Sequence, residues 1–236
     1  VIPFFQPILN LNNQKIEKYE TLMRIKKEDG SYYLPHEFLH VAKHSKLYSK
    51  LSMPLIQKAF ETFQISSSGF SINLSYLDMT NIVTTTFIIE KLEEFNVGPW
   101  VIFEILESDG IENYDAVSKF IEKVKSYGAK IAIDDFGAGY SNFERLAELR
   151  VDFIKIDGSL IRNIDKNDEM KIIVRTIVSF AKELGIKTIA EYVHSQSVLE
   201  CVKEIGIDCA QGFHIGKPSP KLESASEPTL KRVHVL

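Results

Sequence analysis

The sequence predicts an α/β protein: a modified TIM-type (β/α)8 barrel whose first strand is antiparallel. Apolar runs of strand length recur along the chain, and runs with helical periodicity separate most of them. The first two runs are joined only by the polar turn NLNNQK, which favours an antiparallel hairpin. The later strands alternate with helices, the order that produces a parallel barrel.

Each element of this barrel follows from local sequence. Strands are predicted at residues 3–9, 16–25, 70–75, 100–106, 129–135, 151–156, 186–191 and 208–213. Helices are predicted at residues 35–44, 46–64, 80–95, 113–127, 142–149, 167–184 and 195–205. Gly128, Gly185 and Gly206 mark helix ends. Residues 1–218 are therefore expected to form one barrel domain, and residues 219–236, rich in Pro, Ser and charge, a C-terminal cap or linker tail.

Composition limits the classes of function. The 236 residues are 44% hydrophobic and carry a net charge of −4 without a large basic block, which argues against a surface for a nucleic acid polymer. Cys201 and Cys209 form no disulfide framework, and no apolar run approaches the ~18 residues of a membrane span. We expect a cytoplasmic domain. Because the chain starts within a pattern and without Met, we also expect a fragment of a longer protein, one that could be membrane-anchored.

Polar side chains recur at or just past the ends of the apolar runs. They are Glu20, Asn73, Glu104, Asp134, Asp135, Lys155, Asp157, Glu191 and Gln211. Carboxylates in strand cores are costly unless they are paired or bind metal. The C-terminal ends of barrel strands converge on one face, where catalytic residues from different strands meet. The sequence therefore predicts an oxygen-rich metal site at the mouth of the barrel.

The residue types indicate which metal and which chemistry. Carboxylate and amide oxygens favour Mg²⁺ or Mn²⁺ over zinc. Asp134 and Asp135 are consecutive, so both can face one site only where their strand is ending. Two ions sharing such ligands are suited to in-line displacement at phosphorus, and Lys155 could hold the attacking water or stabilise charge. Taken alone, Lys155 could instead pair with Asp157 or Asp134, and a lone glutamate is more often an ion-pair partner.

A second motif competes with this interpretation. His36, Glu37 and His40 match the HExxH pattern of zinc peptidases, and His44 lies on the same helix face, eight residues after His36. Pro35 indicates that the helix begins there, which places His36 in its first turn. No glycine-spaced third histidine follows. A polar helix face near the barrel rim is the simpler interpretation, and a zinc peptidase is the less favoured one.

The blocks of this chain resemble the EAL domain family, the cyclic di-GMP phosphodiesterases. The tripeptide Glu20-Thr21-Leu22 with Arg24, followed by FSINLS, FEILES, IDDFGAGYS, DFIKID, AEYV and QGF, resembles the family's motifs in the family's order. The resemblance implies hydrolysis of cyclic di-GMP to linear pGpG with Mg²⁺ or Mn²⁺, in a two-ion site. It also implies a homodimer and fusion to upstream sensory or GGDEF-type domains.

The resemblance also implies a role for each site residue. The metal ligands would be Glu20, Asn73, Glu104, Asp134 and Asp135. Glu191 and Lys155 would position or deprotonate the water, with Gln211 close by. Substrate contacts would come from Gln6, Leu22, Arg24 and Asp157. Glu107 would anchor the loop 136–143 beside the metals.

The chain departs from the family pattern at three positions. Thr21 replaces the family's Ala, and its side chain should point away from the site if Glu20 and Leu22 point inward. Tyr192 replaces a Gly, and His194 replaces a second Glu. A receptor that binds cyclic di-GMP without cleaving it is therefore the alternative function, although none of the expected metal ligands is missing.

Overall fold

A computed structural model describes residues 1–45, 48–66, 68–106, 114–139, 146 and 148–222 of the chain. Eight strands close into a barrel, and a short extra strand, β3 (Tyr32–Tyr33), pairs with the second of them. The barrel strands are β1 (Ile2–Asn10), β2 (Lys15–Lys26), β4 (Gly69–Leu74), β5 (Val101–Leu106), β6 (Lys130–Phe136), β7 (Phe153–Ile156), β8 (Lys187–Ala190) and β9 (Cys209–Gln211).

The order and direction of the strands confirm the predicted modified barrel. β1 is antiparallel to both of its neighbours, β2 and β9, and closes the sheet between them. All other neighbouring pairs around the barrel are parallel. β3 pairs with the far end of β2 and was not predicted, because two residues give no detectable periodicity.

Helices lie between most of the strands. They are α1 (Pro35–His44), α2 (Tyr48–Phe63), α3 (Tyr76–Thr80), α4 (Ile82–Phe95), α5 (Tyr114–Ser126), α6 (Gly158–Ile161), α7 (Asp168–Glu183) and α8 (Gln196–Ile205). The predicted helix 80–95 begins at Ile82, because the Asn81 side chain accepts hydrogen bonds from the Val83 and Thr84 amides. The predicted helix 142–149 falls largely outside the described residues. None of the helices in the described ranges has the length and apolarity to cross a membrane.

The two-residue repeat of the strands builds the barrel interior in layers. One layer is apolar and contains Ile8, Ile102, Ala132, Phe153, Ile189 and Cys209. Side chains two residues apart share a face of a strand, so the next layer toward the C-terminal ends holds the residues two positions later. Those residues are Glu104, Asp134, Lys155, Glu191 and Gln211. On antiparallel β1 the direction is reversed, and Gln6 precedes Ile8. The apolar layer thus sets the depth of a polar layer above it.

The start of the predicted tail lies against the barrel. Ser219 and Phe5 exchange two backbone hydrogen bonds, of 2.7 and 3.0 Å. Leu222 packs against the main core. Residues 223–236 lie outside the described residues, so a domain boundary at residue 218 stays a prediction.

Candidate active site

The polar layer is centred on Lys155, whose side chain is 1% exposed. Its Nζ lies 2.8 Å from Asp134 Oδ1, 2.9 Å from Glu104 Oε2 and 2.9 Å from Glu191 Oε1. Glu20 Oε1 is farther away, at 3.7 Å. These carboxylates come from four different strands or strand ends, so barrel closure, and not local sequence, brings them together. Of the two partners considered for Lys155 in the sequence, Asp134 is the one within ion-pair distance.

Glu20 is oriented by two amides. Its Oε1 accepts a hydrogen bond from Asn73 Nδ2 at 2.9 Å, and its Oε2 accepts one from Gln211 Nε2 at 2.6 Å. The donors come from β4 and β9, on either side of the hairpin strands. Both donors leave their carbonyl oxygens available, and Gln211 Oε1 is buried without a hydrogen-bond partner among the described residues. An unpaired buried acceptor is costly unless a ligand or a cation satisfies it.

Asp134 and Asp135 both face the site, but the backbone feature that orients them differs from the predicted strand end. β6 does not end there, since the strand continues to Phe136. Instead, the register with β7 shifts by one residue between Ile133 and Phe136, and Asp135 takes a left-handed φ of 56°. This β-bulge turns two consecutive carboxylates toward the same side. Burial and the adjacent Asp134 raise the pKa of Asp135.

Burial and neighbouring charges shift the pKa values of the side chains around Lys155 in the metal-free protein. Burial lowers the pKa of Lys155, but the surrounding carboxylates raise it by more, so its pKa lies well above the usual value. Burial raises the pKa of Glu191 to about 8, aided by Asp134 and Glu20 and opposed by Lys155. Burial likewise raises the pKa of Glu104. Glu20 behaves oppositely, since Lys155 and the two amides lower its pKa by more than burial raises it.

The donor set fits a divalent cation. Ligand oxygens of Asp134, Asp135 and Glu191 lie within 4.8 Å of one another. Glu104 Oε1 is buried and meets no hydrogen-bond donor of good geometry among the described residues. Five carboxylates lie around this point, namely Glu20, Glu104, Asp134, Asp135 and Glu191, and Lys155 is the cation that faces them among the described residues, so acidic groups are in excess. Hard oxygen donors with uncompensated charge are what Mg²⁺ and Mn²⁺ bind.

A cavity of about 440 Å³ opens from this group to the surface. Its lining contains Gln6, Glu20, Asp157, Gly158, Ser159, Arg162, Glu191, Tyr192, His194, Gln211, Gly212 and Phe213. Two of the four predicted substrate contacts, Gln6 and Asp157, therefore line it. Gln6 Nε2 donates to the Gly216 carbonyl at 3.2 Å, and Asp157 Oδ1 accepts from Ser159 N at 2.9 Å.

The other two predicted substrate contacts do not line this cavity. Arg24 is buried, its Nη1 donates to the Met23 carbonyl at 2.9 Å, and its guanidinium lies 5.3 Å from the centre of the Phe4 ring. Leu22 is partly buried on the same strand. The sequence did not indicate Arg162, Ser159 or Phe213, because the four-residue helix α6, which contains Ser159 and is followed by Arg162, and the turn at Phe213 are too short to show periodicity.

Two further predictions can be compared with the described residues. Glu37 caps helix α1, accepting a 2.6 Å hydrogen bond from the Leu34 amide, and His36 and His40 are exposed. Capping accounts for the Glu of the HExxH pattern without any zinc chemistry. Glu107 and much of the loop 136–143 lie outside the described residues, so the anchoring role of Glu107 stays a prediction.

Thr21, which stands where the resemblance has Ala, faces away from the site. It is 1% exposed, it pairs in register with Phe5 and Ile72 of the main core, and its Oγ1 has no hydrogen-bond partner in the described structure. We expect Thr21→Val to raise the free energy of unfolding by about 1 kcal/mol, because a methyl group replaces an unsatisfied hydroxyl. Urea denaturation would measure it. Thr62→Val, which removes a 2.7 Å hydrogen bond to the Lys58 carbonyl, should give no gain. A destabilised Thr21→Val would show that the hydroxyl has a partner.

The chain is similar to known proteins over the residues that form this barrel. A family model for the EAL domain matches residues 1–218. The cyclic di-GMP phosphodiesterase PdeB of Shewanella oneidensis is 32% identical over 224 residues, which are 92% of this chain and 26% of that protein. PdeF of Escherichia coli, also named a cyclic di-GMP phosphodiesterase, is 32% identical over 94% of this chain and 30% of that protein. The chain thus spans less than a third of the length of these two relatives.

Solved structures share the fold over nearly the whole chain. The FimX EAL domain of Pseudomonas aeruginosa bound to c-di-GMP has a TM-score of 0.87 and 26% identity, covering 94% of this chain and 91% of that one. The PaMucR phosphodiesterase in complex with c-di-GMP has a TM-score of 0.85 and 25% identity, covering 93% and 92%. With the family match over residues 1–218, these likenesses establish that the chain belongs to the EAL domain family.

Proposed function

We propose that this chain hydrolyses cyclic di-GMP to linear pGpG in a reaction that requires Mg²⁺ or Mn²⁺. The observation that carries the proposal is the ring of carboxylates around buried Lys155, beside a cavity that is open to solvent. The relatives named as cyclic di-GMP phosphodiesterases support the choice of substrate. In the proposal, Glu20, Asn73, Glu104, Asp134 and Asp135 hold the ions, which when bound would activate water and stabilise the leaving oxygen.

The protein's own groups would place the attacking water. Lys155 stays charged among its carboxylate partners, so it acts as a hydrogen-bond donor to the water and not as a base. Glu191 has the most exposed side chain of these partners, at 20%, compared with 10% for Asp134 and 1% for Glu104. Glu191 is therefore the carboxylate that would accept a proton from water in the cavity once bound cations have lowered its pKa. Gln211 contributes by fixing the orientation of Glu20.

The substrate would occupy the cavity with its scissile phosphate beside Glu191. Gln6 and Asp157 line that space, and Arg24 and Leu22 lie on the strand that carries Glu20. We assign Gln6 to the nucleotide, while Asp157 supports the ligand from the start of α6. Arg24, which lies outside the cavity lining, would contact a phosphate only of a ligand that extends beyond this cavity. A homodimer, an upstream sensory or GGDEF-type module and anchoring by Glu107 belong to the same proposal.

The direct test is incubation of the chain with cyclic di-GMP and Mg²⁺ or Mn²⁺, with the products separated by chromatography. We expect pGpG with both ions and none in EDTA. Ca²⁺ should support binding better than turnover, because it is larger and tolerates loose coordination. Nucleotide binding without pGpG under any of these ions would favour the receptor function. Turnover with Ca²⁺ equal to that with Mg²⁺ would contradict the proposed geometry.

A further inference from the structure

One wall of the cavity is a stack of two side chains that the proposed chemistry does not use. Tyr192 is 51% exposed, and the Arg162 guanidinium carbon lies 4.8 Å from the centre of its ring. The His194 ring meets Tyr192 edge-on at 5.6 Å, and His194 Nε2 lies 2.9 Å from the Arg162 carbonyl oxygen. These contacts fix the α6 end to the segment after β8, so the position of Arg162 beside the cavity is well defined.

The backbone at Tyr192 is costly for this residue type. Its φ is 57°, in the left-handed region, where a non-glycine residue in a strained setting costs about 1–3 kcal/mol. A glycine, which the resemblance places here, would adopt this conformation freely. The ring also needs space. A Cβ on Gly158 would lie 2.8 Å from Tyr192 Cβ, so a side chain at position 192 requires glycine at position 158. A strained, half-exposed aromatic side chain on a cavity wall indicates contact with a ligand.

The chemistry of the stack indicates what that ligand presents. A guanidinium lying on an aromatic face keeps its N–H donors in its own plane, at the edge of the stack. Arg162 makes no ion pair within 4.0 Å among the residues that the structure describes. Its donors match the O6 and N7 acceptors of guanine, whereas adenine presents an amino donor in place of O6.

We propose that Arg162, held in place by Tyr192, recognises the O6/N7 edge of one guanine of the substrate. The inference rests on the proposed function, because it takes cyclic di-GMP as the ligand. A guanine fits better than a phosphate here. The scissile phosphate must lie beside Glu191 and Lys155. Arg162 lies at the end of α6 opposite Asp157, so in the proposed pose it would meet a part of the ligand other than the scissile phosphate. Arg162 is thus a specificity residue, and Tyr192 is a positioning residue.

The test measures dissociation constants for cyclic di-GMP and cyclic di-AMP by calorimetry with Ca²⁺, and KM and kcat for cyclic di-GMP with Mg²⁺. Arg162→Ala should weaken cyclic di-GMP binding by about tenfold to a hundredfold, since a bidentate guanine contact contributes that much discrimination. The ratio of the dissociation constant for cyclic di-AMP to that for cyclic di-GMP should fall by about tenfold or more. KM should rise by a larger factor than kcat falls.

Variants at Tyr192 separate positioning from a merely structural role. Tyr192→Phe keeps the ring and should retain the nucleotide selectivity within about twofold. Tyr192→Gly removes the stack and relieves the backbone strain, so the protein should fold normally while selectivity falls. Arg175→Ala, on the exposed side of α7, is the matched control. It should change neither the ratio of the two dissociation constants nor KM.

Two results would overturn the inference. Equal weakening of both nucleotides by Arg162→Ala would make Arg162 a phosphate contact, and an unchanged ratio with unchanged affinity would remove it from the site. Failure of the proposed function is distinguishable from these results. In that case the unmodified chain would give no pGpG, while its preference for cyclic di-GMP, and the loss of that preference in Arg162→Ala, would still be measurable in the calorimeter.

Discussion

Lys155→Met is expected to abolish turnover and to destabilise the metal-free protein. The substitution keeps most of the side-chain volume but removes a cation that lies within 3.7 Å of four carboxylates. Breaking a buried ion pair from one side costs about 3–5 kcal/mol, because the remaining charges stay desolvated and repel one another. Turnover should fall by about a hundredfold to a thousandfold or more, the usual effect of losing one charge-stabilising donor.

Metal should reverse the stability loss without restoring the reaction. Divalent ions would replace the missing positive charge, so Mn²⁺ should raise the melting temperature of Lys155→Met more than that of the unmodified chain. Thermal melts in EDTA and in Mn²⁺, with product chromatography, measure both effects. Lys125→Met is the matched control, since Lys125 forms one partly exposed ion pair with Asp152 at 2.6 Å and lies outside the site. Near-normal stability of Lys155→Met in EDTA would contradict the expected cost of leaving a buried carboxylate without its cation.

Glu191→Gln is expected to remove turnover while it stabilises the metal-free protein at neutral and higher pH. Loss of a general base lowers rates by about a hundredfold to ten-thousandfold. Burial raises the pKa of Glu191 to about 8 from an ordinary 4.5, so the folded state holds a proton that the unfolded state releases. Its contribution to stability is present below pH 4.5 and is lost as pH rises toward 8. Glutamine has no proton to release and avoids this loss.

The expected gain in the free energy of unfolding of Glu191→Gln therefore depends on pH. In EDTA, Glu191→Gln should match the unmodified chain near pH 4.5 and exceed its free energy of unfolding by on the order of 4 kcal/mol at pH 8, since each unit of pKa shift corresponds to about 1.4 kcal/mol. Urea denaturation at several pH values checks this. Glu200→Gln, an exposed change on α8, should give no pH-dependent difference. If Glu191→Gln were less stable than the unmodified chain at pH 8, the ion pair with Lys155 would outweigh the burial of Glu191 in the metal-free protein.

Much of the barrel could be predicted because its signals are local. Alternation of apolar residues sets each strand, glycine sets helix ends, and a short polar turn dictates the β1–β2 hairpin. The elements that were missed are short. α6 is four residues long, and its start depends on capping by Asp157 rather than on periodicity. The unpredicted α3 is similar, since Ser75 and Asp78 cap only five residues.

Residue types and their order along the chain determined the fold class and the chemical character of the site by themselves. Carboxylates placed two residues beyond an apolar strand position, repeated from strand to strand, require a polar layer at one end of a barrel. Only the tertiary structure decided which groups meet. The bulge that aims Asp135, the amides that orient Glu20 and the stack of Arg162 on Tyr192 all depend on contacts between residues that are distant in sequence, and such contacts leave no local pattern.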